Sequence, residues 1–115
     1  MLGVACRCMK AQTLKGHLDG LLLAVVASGP AHGYGVIAEL RERSDGEFDL
    51  PEGTIYPALH RLEQAGLLSS SWSTDAPRRR RVYEITAAGE RSLGQRRADW
   101  RGFTSAVDAV MGEPA

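Results

Sequence analysis

Cysteine is nearly absent from the chain. Its two thiols, Cys6 and Cys8, stand one residue apart with no second pair elsewhere, so neither a four-ligand zinc site nor a disulfide framework can be assembled. Long apolar runs are lacking as well. The longest, Leu21 to Ala27, falls far short of the roughly 18–20 residues that a bilayer span requires. The N-terminal stretch also carries no extended apolar core leading to a cleavage site. The expected location is therefore cytoplasmic, with no membrane partner. Net charge is absent too, since 14 basic residues balance 14 acidic ones, and bulk electrostatics alone nominate no polyanion. No internal repeat or low-complexity tract is present.

What remains is an ordinary globular composition in a short chain. With 115 residues, 43% hydrophobic and 24% charged, the chain has room for one cored domain and does not read as disordered or fibrous. Its charge is segregated: residues 77–101 carry a net +5, and residues 39–52 a net −4. The segments read as an N-terminal tail over 1–12, a folded unit over 13–86, a C-terminal helix over 87–111 and a short tail over 112–115. Met9 precedes the first helical pattern, so residues 1–8 read as an extension from an upstream start.

Apolar residues at Leu14, Leu18, Leu21, Leu22, Val25 and Val26 lie on one face of a helix with a 3.6-residue period. Ser28-Gly29-Pro30 ends that helix, and a turn follows. A second helical pattern rests on Tyr34, Ile37, Ala38 and Leu40 or Arg41 and stops at Ser44-Asp45-Gly46. After an extended linker at Phe48-Asp49-Leu50-Pro51, a third helix buries Ile55, Ala58, Leu59, Leu62 and Ala65, with Gly66 as terminator. Its start has two readings: Thr54 as N-cap, with Pro57 in the first turn, or a start near Glu52, with Pro57 opposite Gly53. Leu67 to Thr74 and Arg80 to Thr86 read as a hairpin whose tip carries Arg78, Arg79, Arg80 and Arg81. Thr86 caps a last helix with Glu90 in its first turn. The seam of that helix is Leu93, Trp100, Phe103, Val107 and Val110, a coiled-coil-like spacing.

Three helices followed by a two-stranded hairpin compose a winged helix-turn-helix, a mainly α (α+β) fold, with a C-terminal dimerisation helix. The order of these elements is the argument, because each alone is common. Catalysis finds no support: His17, His32 and His60 have no Ser, Cys or carboxylate partner at a triad or metal spacing. No cofactor and no metal are implied, since Gly33-Tyr34-Gly35 lacks the strand and the lysine of a phosphate-binding loop.

Several segments carry a family resemblance. Leu14-Lys15-Gly16-His17-Leu18-Asp19, Gly29-Pro30-Ala31-His32-Gly33-Tyr34-Gly35, the stretch Leu50-Pro51-Glu52-Gly53-Thr54-Ile55-Tyr56-Pro57-Ala58-Leu59-His60-Arg61-Leu62-Glu63, and Pro77-Arg78-Arg79-Arg80-Arg81-Val82-Tyr83 resemble the PadR family of bacterial transcriptional regulators. The resemblance extends over about residues 13–111 and implies a homodimeric winged helix that represses promoters. It is closest to the short subfamily with one C-terminal helix.

On this reading the third helix is the recognition helix, with Thr54, Tyr56, Pro57, His60 and Arg61 available to double-stranded DNA at a palindromic operator. Tyr56 and His60 have a second reading as packing against the second helix or bridging to solvent, and Arg61 is a phosphate anchor. Tyr34 is divided between a phosphate contact and the core. Arg78 to Arg81 form the wing contact, because four adjacent guanidiniums repel one another unless a polyanion relieves them. One of Arg80 and Arg81 has the alternative of pairing with Glu84 or Asp75. Leu18, Leu22, Leu93, Trp100, Phe103, Val107 and Val110 are the expected dimer interface. Trp100 and Phe103 have a second role as a site for a small planar hydrophobic effector, since in some relatives such a tryptophan and its symmetry mate flank a drug-accepting cavity. The competing class is a winged-helix protein-interaction module that binds no DNA.

Overall fold

The computed structural model describes residues 16–73 and 79–112. The expected N-terminal tail, the C-terminal tail beyond Gly112, both cysteines, Leu14, Asp75 and Arg78 lie outside the described residues. Element order is α1 (Leu18–Ala27), β1 (Ala31–His32), α2 (Gly33–Arg43), α3 (Glu52–Gln64), β2 (Leu68–Ser73), β3 (Arg80–Ile85) and α4 (Ala87–Met111). Three helices pack with a small antiparallel sheet in the order β1-β3-β2, which is the expected winged helix. One feature departs from expectation. The turn after α1 contains a third strand, with Ala31 opposite Tyr83 and His32 opposite Val82.

The core is fully apolar. Leu22 and Leu23 of α1, Val36 of α2, and Ile55 and Leu59 of α3 are wholly enclosed, and Tyr83 of β3 closes one side at 5% exposure. On α2 the buried stripe is Gly33, Val36, Ile37 and Leu40, not the expected set containing Ala38. Ala38 and Arg41 are exposed, because the helix is rotated so that Val36 takes the inward position. On α3 the stripe is Ile55, Ala58, Leu59 and Leu62, while Ala65 is the exposed C-cap. The left-handed conformation at Gly66, φ +80°, ends α3 as a residue without Cβ permits.

The two readings of the start of α3 are resolved in favour of Glu52. Pro51 is the N-cap, no side chain caps the helix, and Pro57 lies within it. Thr54 is therefore a first-turn residue whose amide bonds the Pro51 carbonyl at 3.0 Å. Between α2 and α3, Ser44 ties the link together. Its hydroxyl donates to the Leu40 carbonyl at 2.7 Å and accepts from the Phe48 amide at 2.8 Å.

The hairpin has an unbroken register from Leu68–Ile85 to Ser73–Arg80. Its base is clamped by Thr86, whose hydroxyl donates to the Gly66 carbonyl at 2.7 Å and accepts from the Gly89 amide at 3.0 Å as the N-cap of α4. Gly89 is buried against Leu67, and a Cβ there would come within 2.1 Å of the Leu67 carbonyl oxygen. The 25 residues of α4 make a rod of about 37 Å at ~1.5 Å per residue. Only Gly89 and Leu93 are buried along it. Among the described residues no helix is long and apolar enough to cross a membrane.

Candidate nucleic-acid interface

The start of α2, the start of α3 and the far end of the wing enclose a cleft of about 620 Å³. Tyr34 and Tyr56 line it from the helices, and Trp72, Arg79, Arg80 and Arg81 from the hairpin. Glu52 is the one carboxylate among its lining residues. Aromatic rings and guanidiniums in a single concavity suit a phosphate-rich, base-bearing surface, because guanidiniums bond phosphate in a fork and rings supply apolar contact.

The arginines are not equivalent. Arg81 is directly opposite Trp72 in the register, and alternation along the strands puts Arg79 on the same side of the sheet. Both guanidinium carbons lie over the indole, 4.8 Å from its centroid for Arg79 and 4.7 Å for Arg81, within range of a cation–π attraction. Arg81 is held further. Its guanidinium donates to the Ser70 hydroxyl at 2.6 Å, that hydroxyl donates to a Glu63 oxygen at 2.6 Å, and the same oxygen is 3.8 Å from the Arg81 nitrogen. Among the described residues the carboxylate that faces Arg81 is Glu63 of α3, not the alternative Glu84, so Arg81 ties wing to helix. Arg79 and Arg80 carry the less committed charge.

Arg80 leaves the opposite side of β3 and reaches His32, with 3.2 Å between Nη1 and Nε2. His32 in turn is the N-cap of α2, its Nδ1 accepting from the Gly35 amide at 3.1 Å. Tyr34 is 65% exposed and belongs to the cleft, not to the core. Tyr56 is 39% exposed, its ring lying against Gly33, where a Cβ would meet ring carbons at 2.2–3.0 Å. Glycine at this position is what lets α3 bring a tyrosine against the start of α2.

Elsewhere on α3, Pro57 is exposed beside Gly53, and His60 is exposed with its Nε2 3.3 Å from the Gln64 amide nitrogen. Thr54 is half-buried. Arg61, read as a phosphate anchor, is drawn to the other flank of the helix, where it pairs with Asp19 of α1. Asp19 also faces Arg96 of α4 at 4.0 Å, so one carboxylate gathers an arginine from each of two helices. Burial pushes the Tyr83 hydroxyl above its ordinary value of 10.0, with Glu63 acting the same way and Arg81 opposing.

The residues assigned to a dimer surface divide. Leu22, with no exposure, and Leu93, at 5%, are enclosed in the subunit's own core, and Leu18 packs half-buried against it. These leucines do not face outward, because the helical period that marks a seam is the same whichever partner covers it. Trp100 and Phe103 are 50% and 59% exposed and Val110 is 87% exposed, with Val107 half-buried between them. The Trp100 and Phe103 rings are 5.8 Å apart, and His17 meets the indole edge-on at 5.2 Å.

Sequence reasoning missed His32, Gly33, Trp72 and the Ser70–Glu63 tie. The hairpin register, once aligned, pairs Trp72 with Arg81 and was the one signal available. Among the described residues no group of three or more His, Cys, Asp or Glu could hold a metal.

Comparison with known proteins accords with this architecture. Residues 22–95 match the Transcriptional regulator PadR-like family. A transcriptional regulator of Mycobacterium tuberculosis is 38% identical over 91 residues, 79% of each chain. A solved transcriptional regulator from Clostridium thermocellum superposes with a TM-score of 0.79 at 26% identity, covering 85% of this chain and 96% of its own. A PadR-like transcription factor from Bacteroides fragilis does so with 0.72 at 33% identity, covering 87% and 95%. Family, fold and element order agree, and the chain belongs to the PadR-like family of transcriptional regulators, not to a family of enzymes.

Proposed function

We propose that the chain acts as a homodimer that binds a palindromic operator through α3 and the wing and represses the promoter it covers. The observation that carries this reading is the cleft shared by α2, α3 and the hairpin, which Tyr34, Tyr56, Arg79 and Arg80 line together with a single carboxylate, Glu52. The recognition helix presents Gly53, Pro57 and His60 outward, and the wing arginines flank it as backbone contacts do. Dimerisation is supported by α4, whose exposed Trp100, Phe103 and Val110 form one continuous apolar stripe. A two-fold pair sets its recognition helices one DNA turn apart.

The Trp100–Phe103 pair also favours a small planar hydrophobic effector. Two exposed rings 5.8 Å apart offer a stacking surface, and a ligand there shifts the dimer only by its differential affinity for two spacings. Operator release by a planar dye, together with quenching of Trp100 in a Trp72→Phe background, supports the effector. A dye that leaves both signals unchanged removes it.

Duplexes selected from a random pool should contain mirrored half-sites and bind in a salt-sensitive manner. Trp100→Glu with Phe103→Glu should lower the sedimenting mass to a monomer and weaken operator binding together. A monomer that binds the operator as well as the wild type refutes the dimer. Absence of any duplex binding at low salt favours the protein-interaction module instead.

A further inference from the structure

His32 is claimed by more donors than it can serve. Its Nδ1 lies 3.1 Å from the Gly35 amide, and its Nε2 lies 3.2 Å from an Arg80 guanidinium nitrogen. Both neighbours only donate, whereas a neutral imidazole has one lone pair and one N–H. If Nδ1 accepts from Gly35, Nε2 carries the proton and aims it at the guanidinium, donor against donor. The opposite tautomer satisfies Arg80 and strips α2 of its cap. The imidazolium satisfies neither.

Exposure decides between the tautomers. The Gly35 amide is part-buried at the first turn of α2, so its loss of an acceptor is uncompensated, whereas Arg80 is exposed and keeps its hydrogen bonds with water. The capping tautomer is the stable one, which leaves an Nε2–H and a guanidinium N–H side by side, both without an acceptor among the described residues at that point of contact. Two adjacent donors, one of them charged, are complementary to a single anionic oxygen. They stand on the lining of the same cleft as Tyr34 and Arg79, so the anion available to them is the backbone of the DNA that the cleft receives.

We propose that His32 and Arg80 form a two-donor clamp on one non-bridging oxygen of a DNA backbone phosphodiester, with His32 held in the binding tautomer by its capping bond to Gly35. The clamp rests on the DNA-binding reading above. It assigns His32 two simultaneous tasks, ordering α2 with one nitrogen and holding phosphate with the other.

Replacing His32 by another capping residue separates the tasks. Asn is among the best N-caps, so His32→Asn retains an acceptor for Gly35 and removes the donor at the Nε2 position. Binding of the full-length variants is followed by fluorescence anisotropy, on a duplex selected by the wild-type protein and on an unselected mixed-sequence duplex. His32→Asn should keep the wild-type urea midpoint and lose affinity roughly tenfold, as for a hydrogen bond to a charged group, equally on both duplexes because phosphate carries no sequence. Its salt slope should be unchanged, while Arg80→Ala should lower the slope by about one. The double variant should bind no worse than Arg80→Ala alone, because a clamp acts as a unit. His32→Ser, a second capping residue, should behave like His32→Asn and stands in for it if that variant fails to fold. Wild-type affinity in a folded His32 variant, a loss confined to the selected duplex, or additive losses in the double variant overturn the clamp while leaving DNA binding intact. A wild-type protein that binds neither duplex removes the DNA-binding reading and the clamp with it.

Discussion

Gly33→Ala should damage DNA binding with little effect on stability, and the structure supplies the magnitudes. The new Cβ would meet the Tyr56 ring at 2.2 Å from Cε1 and 2.7 Å from Cζ, contacts that real carbon atoms do not make. Something has to move, and the atoms in the way are the far end of a side chain that is already 39% exposed. Swinging the ring outward forfeits about 100 Å² of contact for an aromatic of this size, or roughly 2.5 kcal/mol at ~25 cal/mol per Å². Partial repacking recovers some of this, and replacing Gly within a helix offsets up to about 1 kcal/mol more. The net loss of stability should therefore be about 1 kcal/mol or less. Binding should suffer more, since Tyr56 is displaced from the cleft between α3 and the wing, at about 1–2 kcal/mol or roughly 5- to 30-fold in affinity. Urea unfolding and anisotropy on the selected duplex measure the two quantities separately. Wild-type binding by Gly33→Ala refutes the role given to Tyr56. A loss of several kcal/mol in stability shows that the ring cannot yield and that Gly33 serves the fold.

Two further outcomes follow from other positions. Gly89→Ala, whose Cβ would press on a backbone oxygen at 2.1 Å and on Ile85 at 2.7 Å, should cost about 1–3 kcal/mol or more, as overpacking does. Gly94→Ala, with nothing within 4 Å, should gain up to about 1 kcal/mol in urea unfolding, and equal effects at the two sites would contradict the packing at the base of the wing. The raised pKa of Tyr83 predicts stability that is complete below the ordinary value of 10.0 and falls as pH rises beyond it, because the unfolded phenol ionises first. Urea midpoints on either side of pH 10.0 should show this decline in the wild type and a weaker one in Tyr83→Phe.

The parts of the fold legible in the sequence are those decided within a few residues. Ser28-Gly29-Pro30 stops α1, Gly66 stops α3 and Thr86 caps α4 because each acts on its own backbone. β1 was illegible because two residues have no pattern of their own, and Ala31 and His32 become a strand only when β3 arrives to pair with them. The arginine run illustrates the same limit at the site. Four adjacent guanidiniums read as one charge patch, yet cross-strand register assigns Arg81 to Trp72, Ser70 and Glu63, and a reach across the sheet assigns Arg80 to His32. Even identical neighbours acquire separate tasks once a hairpin sends alternate side chains to opposite faces.

The seam of α4 carries this reasoning furthest. Leu93 and Trp100 lie seven residues apart on one heptad-like spacing, with Arg96 at the position between them, so sequence periodicity assigns them to the same surface. In the folded chain Leu93 is enclosed at 5% exposure and Trp100 stands half-open at 50%. The helix leaves its own core between them, at the stretch where Arg96 meets Asp19 of α1. Before that point the stripe is covered by its own chain; after it, the same stripe has only His17 against the indole among the described contacts of Trp100 outside α4. A single period can thus run from a covered stretch into an open one, because helical geometry dictates which side chains share a face and is indifferent to what covers that face. The change from covered to open is a property of where the core ends, which is set by α1 and by the clamp at Thr86.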